Sequence, residues 1–255
     1  MMAERGKVAA AFDMARDYEG QARIQHAVAQ ALAARIGALD LPEHPRLLEI
    51  GCGTGFLTRA LEAQGFGGGW LVTDLSAAMV ARCEAGVIDP SNKRFAVLDG
   101  ERDEPDGGPF DLICSSFALQ WFIDAPAALA RMQRWLAPGG HLVVATLAAG
   151  TFAEWRAAHE ALGLSAGTPP FPPAEAFSAL KPETLDIAHH REAHADAASF
   201  LRAVKAIGAG TARSGHRPLS PAQLRAVMRQ FESNASAVTY EVVTLHLRST
   251  AGSPP

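Results

Sequence analysis

The spacing of apolar positions changes several times along the chain, and each change marks an element. Through residues 3–38 apolar side chains recur at helical spacing: Val8, Phe12 and Ala15, then Ile24, Val28, Ala29, Leu32 and Ile36. The polar stretch 16–21 interrupts them, so two helices are predicted, with Tyr18 at or near their junction. Leu39 to Pro45 carries two prolines and reads as a linker. Residues 46–55 (RLLEIGCGTG) form a short apolar run ending in glycines, and 56–65 read as an amphipathic helix closed by Gly65. Strand patterns follow at 70–76, 94–99, 110–121 and 141–147. Helical patterns fill 76–86 and 124–136, the latter ended by Pro138-Gly139-Gly140. This alternation predicts a parallel sheet covered on both faces.

Beyond residue 150 the pattern is different. A helix is predicted at 151–163, a stiff proline-rich connector at 168–173, strands at 184–193 and 237–248, and helices at 196–207 and 220–232. The last four residues are expected to fray. A length of 255 residues suits one α/β domain with an embellishment, or two small domains.

Composition removes whole classes of function. Apolar residues make up 48% and charged residues 20%, so long disorder is not expected. The net charge of −4 argues against bulk nucleic-acid binding. Cys52, Cys83 and Cys114 are odd in number and form no CxxC, against a disulfide framework or a cysteine zinc site. The first ten residues show no signal peptide or transit peptide, and no run of about 18 apolar residues predicts a membrane span. A soluble, cytoplasmic protein is expected, without membrane or nucleic-acid partners and as a monomer.

The candidate chemistry lies between the first strand and the helix after it. Glu49-Ile50-Gly51-Cys52-Gly53-Thr54-Gly55 has GxGxG spacing, with an acid two positions before the first glycine. The second strand ends in Asp74, where a carboxylate can hold ribose hydroxyls. The third ends in Asp99-Gly100, suited to an adenine amino group. The fourth runs into Ser116-Phe117-Ala118-Leu119-Gln120-Trp121, at the end that faces the ligand crevice in open parallel sheets. Aromatics there can exclude water, and Gln120 can orient a polar substrate group.

With these residues in order, 46–147 resembles the class I S-adenosylmethionine-dependent methyltransferases. The resemblance implies a Rossmann-like seven-stranded sheet with an N-terminal helical lid (1–38) and an insertion after the fifth strand. The methyltransferase domain would then be 39–255, with a cofactor core at 46–147 and a substrate-side insertion and C-terminal strands at 148–248. It further implies S-adenosylmethionine as cofactor, S-adenosylhomocysteine as product, and no metal. The matching cofactor positions are Gln25, Glu49, Gly51, Gly53, Gly55, Asp74, Leu75, Met79, Asp99, Gly100, Ser116 and Phe117. The stretch 100–111 departs from the family by being acidic and glycine-rich.

"ALQW" (118–121) is shared by two carboxylate-methylating groups, the malonyl-[acyl-carrier protein] O-methyltransferases of biotin synthesis and the trans-aconitate methyltransferases. The helices at 7–32, with Tyr18 and Gln25, and the stretches at 146–154, 199–209 and 239–243 resemble the first group. That resemblance implies an acidic acyl-carrier protein or a CoA thioester as substrate carrier. Charge points the same way. Residues 197–231 hold Arg202, Lys205, Arg213, Arg217, Arg225 and Arg229 and no acid, a +6 window that leaves −10 on the remainder.

A carboxylate substrate is already ionised at neutral pH, its pKa being about 4, and needs no general base. This agrees with the lack of any HExxH-like spacing among His26, His141, His189, His190, His194 and His216. Tyr18, Gln120 and Trp121 are the expected catalytic residues, and Arg156 and Lys205 the expected substrate-binding ones. The alternatives are a small-carboxylate methyltransferase of the trans-aconitate type, a cofactor-binding assembly factor or protein-modifying enzyme, and a non-catalytic binding module.

Overall fold

The computed structural model describes residues 22–206 and 215–249. By the contacts among its residues the chain divides into two compact units. One comprises 23–146, 174–187 and 243–249; the other comprises 147–173 and 188–242. Seven strands pair in the order β3-β2-β1-β4-β5-β7-β6. They are β1 (Arg46–Ile50), β2 (Gly69–Asp74), β3 (Lys93–Val97), β4 (Phe110–Ser116), β5 (Leu136–Leu147), β6 (Thr184–Ala193) and β7 (Ala237–Arg248).

In the first unit β1 lies parallel to both β2 and β4, with Ile50 opposite Thr73 and Glu49 opposite Cys114. β3 continues outward from β2, and β5 pairs with β4, all in parallel. The chain therefore runs outward on one side of β1 and then returns to the other. The ends of β1, β2 and β4 frame the crevice that such a reversal opens. Leu47, Leu48, Val72, Leu112, Ile113, Leu142 and Val144 are buried. Those predominantly apolar runs are what a parallel sheet needs when both faces are covered. α1 (Arg23–Gly37) buries Val28, Ala29, Leu32, Ala33 and Ile36. It packs on α2 (Phe56–Ala63), with His26 edge-on to Phe56 at 5.3 Å. α3 (Ala77–Gly86) starts at an N-cap, Ser76, whose hydroxyl accepts from Met79 N at 3.1 Å.

The largest departures from the sequence pattern lie around β4 and β5. The helix expected at 124–136 is α4 (Ala125–Met132), which passes through a 3-10 turn into β5 at Leu136. Pro138 and Gly139 thus lie inside the strand. A register shift near Phe110–Leu112 accommodates them before the regular ladder begins at His141. The strand expected at 110–121 ends at Ser116, because Phe117 turns into the left-handed region (φ 55°). Residues 119–121 then form a 3-10 turn.

The second unit has an aromatic core. α5 (Ala153–Glu160), α6 (Ala197–Ala206) and α7 (Pro221–Glu232) bring together Phe152, Trp155, Phe200, Phe231 and Tyr240. Phe200 lies 5.4 Å from Trp155 and 5.5 Å from both Phe152 and Phe231, and Tyr240 lies 5.0 Å from Phe152. Two polar pairs stand beside it: Glu154 accepts from Thr239 N (3.0 Å) and Oγ1 (2.5 Å), and Tyr240 donates to Glu192 Oε2 at 3.2 Å.

Candidate functional site

The glycine turn is built from the backbone outward. Gly51 N and Cys52 N both donate to Thr73 O at 2.8 Å, which ties the end of β1 to β2. Gly51, Gly53 and Gly55 have φ of 73°, 54° and 92°, a region that L-residues enter at a cost. At Gly51 a side chain would also collide, since its Cβ would lie 2.3 Å from Ala118 Cβ. At Gly53 a Cβ would meet no atom within 4 Å, so the turn presents an open backbone face there.

Asp74 holds this turn in place. One carboxylate oxygen accepts from Gly53 N at 2.9 Å and the other from Ser76 N at 2.8 Å. The carboxylate expected to bind ribose is thus also the brace of the loop beside it.

Glu49 lies beneath the turn, 1% exposed, and accepts a hydrogen bond from Thr58 Oγ1 at 2.7 Å. Burial pushes its carboxyl up to about 7, against the pull of the Thr58 hydroxyl. Thr58 Oγ1 lies 3.3 Å from Cys83 Sγ, and burial together with the Glu49 charge drives the Cys114 thiol well above its ordinary range.

Asp99 lies past the end of β3. Its backbone N donates to Asp103 Oδ2 at 2.8 Å, and its Oδ1 accepts from Glu101 N at 3.0 Å. Gly100 is buried, and a Cβ there would stand 2.4 Å from Ile50 Cγ2. Arg131 of α4 donates to Gly100 O at 2.9 Å while its guanidinium lies over the Trp135 ring at 5.2 Å. Glu101 Oε1 accepts from Ile123 N and Asp124 N, both at 2.8 Å. The acidic stretch that departs from the family pattern is therefore tied to the loop that starts α4.

The other expected residues are placed as follows. Gln25 is half-buried on α1, and Leu75 is 36% exposed at the end of β2. Met79 is 1% exposed, its side chain in the core. Ser116, Phe117 and Trp121 are half-buried beyond β4. Gln120 Nε2 donates to Phe117 O at 2.6 Å, and its Oε1 accepts from Thr146 at 3.3 Å. Both ends of this amide hold the Phe117 turn. Arg156, in the second unit, gives its guanidinium to Thr151 O and, at 2.7 Å, to Ala149 O. Lys205 is exposed near the end of α6. Tyr18 lies outside the described residues.

Sequence reasoning passed over Thr54, Thr58, Glu101 and Arg131. The buried Thr54 Oγ1 has no hydrogen-bond partner among the described residues. An orphaned hydroxyl beside an open glycine backbone fits a polar ligand seated on this turn. Gly53, Thr54 and Asp74 are the residues that would meet such a ligand, with Glu49 beneath them. Among the described residues, no group of three His, Cys, Asp or Glu side chains is placed to hold a metal ion, and no helix is long and apolar enough to cross a membrane.

A strand order that reverses at β1, a glycine turn there, and acids at three successive strand ends are the marks of a nucleoside-binding transferase fold. Residues 17–199 match the family model described as a methyltransferase domain, and the chain belongs to that family. Among curated relatives it is 40% identical to the malonyl-[acyl-carrier protein] O-methyltransferase of Magnetococcus marinus, over 93% of this chain and 90% of that one. It is 48% identical to the biotin biosynthesis bifunctional protein BioCD of Bordetella avium, over 92% of this chain. The chain spans about half the length of that bifunctional relative. Solved methyltransferases share the fold. One from Bacillus halodurans gives a TM-score of 0.60 at 12% identity, covering 85% of this chain and 96% of that one. A geranyl diphosphate methyltransferase in complex with S-adenosylmethionine gives 0.51 at 17% identity, covering 86% and 84%.

Proposed function

We propose that this chain transfers a methyl group from S-adenosylmethionine to the free carboxylate of a malonyl thioester, carried by an acyl-carrier protein or by CoA. The ester formed would start the pimeloyl chain of biotin synthesis. The observation that carries this reading is the likeness to a malonyl-[acyl-carrier protein] O-methyltransferase over nine-tenths of both chains. The braced glycine turn with its orphan hydroxyl supports the cofactor half of the reading.

When bound, the cofactor supplies a sulfonium methyl that a carboxylate oxygen can take in line, the C–S electron pair remaining on sulfur. Nothing in this chemistry calls for proton abstraction, since a carboxylate with pKa about 4 is ionised at neutral pH. The protein's task is alignment and exclusion of water, and an approach of about 3 Å can supply several kcal/mol. Asp74 and Glu49 hold the turn, Phe117 and Trp121 wall the end of β4, and Gln120 with Thr146 fixes that wall.

The test is parallel methyl transfer from labelled S-adenosylmethionine to malonyl-[acyl-carrier protein], malonyl-CoA and trans-aconitate. Labelling of the malonyl thioesters is expected. Labelling of trans-aconitate alone would move the substrate to a free small acid. Cofactor binding without transfer to any of the three would overturn the substrate reading.

A further inference from the structure

Resting on that substrate reading, we propose that the second unit carries a docking platform for the carrier protein. The exposed arginines of α7 meet the acidic carrier, and a cleft at the start of the same helix takes its phosphate-bearing pantetheine arm.

α7 is anchored by Val227 and Phe231, the latter packed 5.4 Å from Trp155. Its outer face carries Arg225 and Arg229, both exposed and one helical turn apart. The helix has a single acid, Glu232, whose carboxylate accepts from Ala197 N at 3.0 Å at the start of α6. It does not neutralise the arginines. Among the described residues Lys205, Arg217, Arg225 and Arg229 have no acidic partner, whereas Arg202 meets Asp196 at 3.9 Å. Soluble proteins ordinarily intersperse surface charges of both signs. An unneutralised cationic face on a chain of net charge −4 attracts an acidic partner and repels a basic one.

The cleft adjoins that face. It is an open groove of about 710 Å³ between the turn 163–165 and the segment 215–223. His216, Arg217, Ser220 and Gln223 supply its polar wall. Leu164 and Ser165 also border a second open cleft of about 350 Å³, lined by Arg156, Glu160 and Thr168 among others. The His216 ring closes over Gly167, where a Cβ would stand 2.9 Å from it. Such a wall suits a phosphodiester, which Arg217 can pair, followed by an amide-rich arm that hydroxyl and amide side chains can hydrogen-bond. Ser220 and Gln223 lie in the cleft, and Arg225 and Arg229 follow on the same helix. A partner seated on the arginines therefore has the cleft within reach of its arm. CoA carries the same phosphate and arm, but only a protein can cover the α7 face, so the carrier is the occupant.

Three probes separate the parts: malonyl-[acyl-carrier protein], malonyl-CoA and malonyl-pantetheine, which lacks the phosphate. In R225E/R229E the KM for the carrier substrate should rise at least tenfold, with the other two within twofold of the parent. In R217M the KM should rise about fivefold for both phosphate-bearing substrates and stay unchanged for malonyl-pantetheine. Binding of labelled holo-carrier, followed by fluorescence anisotropy, should be lost in R225E/R229E. Equal effects on all three probes, or no effect on any, would overturn the platform. If the parent methylates none of the probes, the substrate reading falls on its own account. The anisotropy then still decides: binding lost in R225E/R229E supports the platform, and unchanged binding overturns it.

Discussion

Glu49→Gln tests the electrostatics under the glycine turn. The glutamine side chain keeps the shape and can still accept from Thr58, but it cannot ionise. In the parent, burial moves the carboxyl from an ordinary 4.5 up to about 7. Between those values the folded state binds more protons than the unfolded chain, so stability falls as pH rises through this window and levels off above it. The whole shift is worth about 3 kcal/mol; roughly 1 kcal/mol of it is expressed at pH 5 and nearly all at pH 8. E49Q should therefore gain ~2 kcal/mol over the parent on going from pH 5 to pH 8. In a chain of this size that is a relative Tm gain of about 5–8 °C. Thermal melts of both proteins at the two pH values give the double difference, in which titrating groups that do not feel Glu49 cancel. A difference between E49Q and parent that is the same at both pH values would refute the reasoning, because it would mean Glu49 does not titrate in this window.

The remaining expectations concern the site's supports and the far end of the sheet. Gly51→Ala places a Cβ 2.3 Å from Ala118 at φ 73° and should cost about 2–3 kcal/mol and abolish S-adenosylmethionine binding in calorimetry. Arg131→Met frees the Gly100 carbonyl and should raise the KM for S-adenosylmethionine about fivefold with kcat within twofold; a fall in kcat with KM unchanged would show that the Gly100 anchor does not serve the cofactor. His141 and His246 stack at 5.1 Å, with Arg248 Nη1 2.6 Å from His141 Nε2. Burial first, then the Arg248 charge, lowers the His141 pKa, and burial lowers that of His246. The folded state thus refuses protons that the unfolded chain accepts below about 6.5, so stability is full above that pH and is lost as pH falls. Urea midpoints of His246→Gln should fall less than those of the parent between pH 7.5 and 5.5, and an equal fall would count against the pair.

The sheet was legible because strands covered on both faces leave predominantly apolar runs, as at Leu47–Ile50 around the single acid Glu49 and at Leu142–Ala145. Its irregularities were not. Pro138-Gly139 signals a helix stop, yet a register shift lets β5 run through it, and no local spacing reports a register set by a neighbouring strand. Phe117 reads as strand until its left-handed backbone turns the chain. At the site, the glycines and acids could be named from their spacing, since the turn itself demands them. Their supports could not. Thr58 meets Glu49 only because α2 folds back over β1, and Arg131 meets Gly100 from 31 positions away. Gln120 and Arg156 were readable as polar groups near a site, but the backbone carbonyls that occupy them come from turns whose shape the sequence does not spell out.

Asp74 shows why site and fold cannot be perturbed separately here. Its two oxygens accept from Gly53 N and Ser76 N, so Asp74→Ala removes a carboxylate from the crevice and leaves two backbone donors without acceptors. A loss of cofactor affinity in that variant would not by itself assign the ribose contact. Asp74→Asn divides the two roles. Its side-chain oxygen can keep one backbone donor, while the charge and the second acceptor are lost. If Asp74 only braces the loop, D74N should lie midway between parent and D74A in both Tm and Kd for S-adenosylhomocysteine. If it also grips a ribose, D74N should fall close to D74A in Kd while its Tm stays midway between the two. Calorimetric titration and thermal melting of the same three proteins distinguish these outcomes. A Kd that tracks Tm through the series would reduce Asp74 to a structural brace.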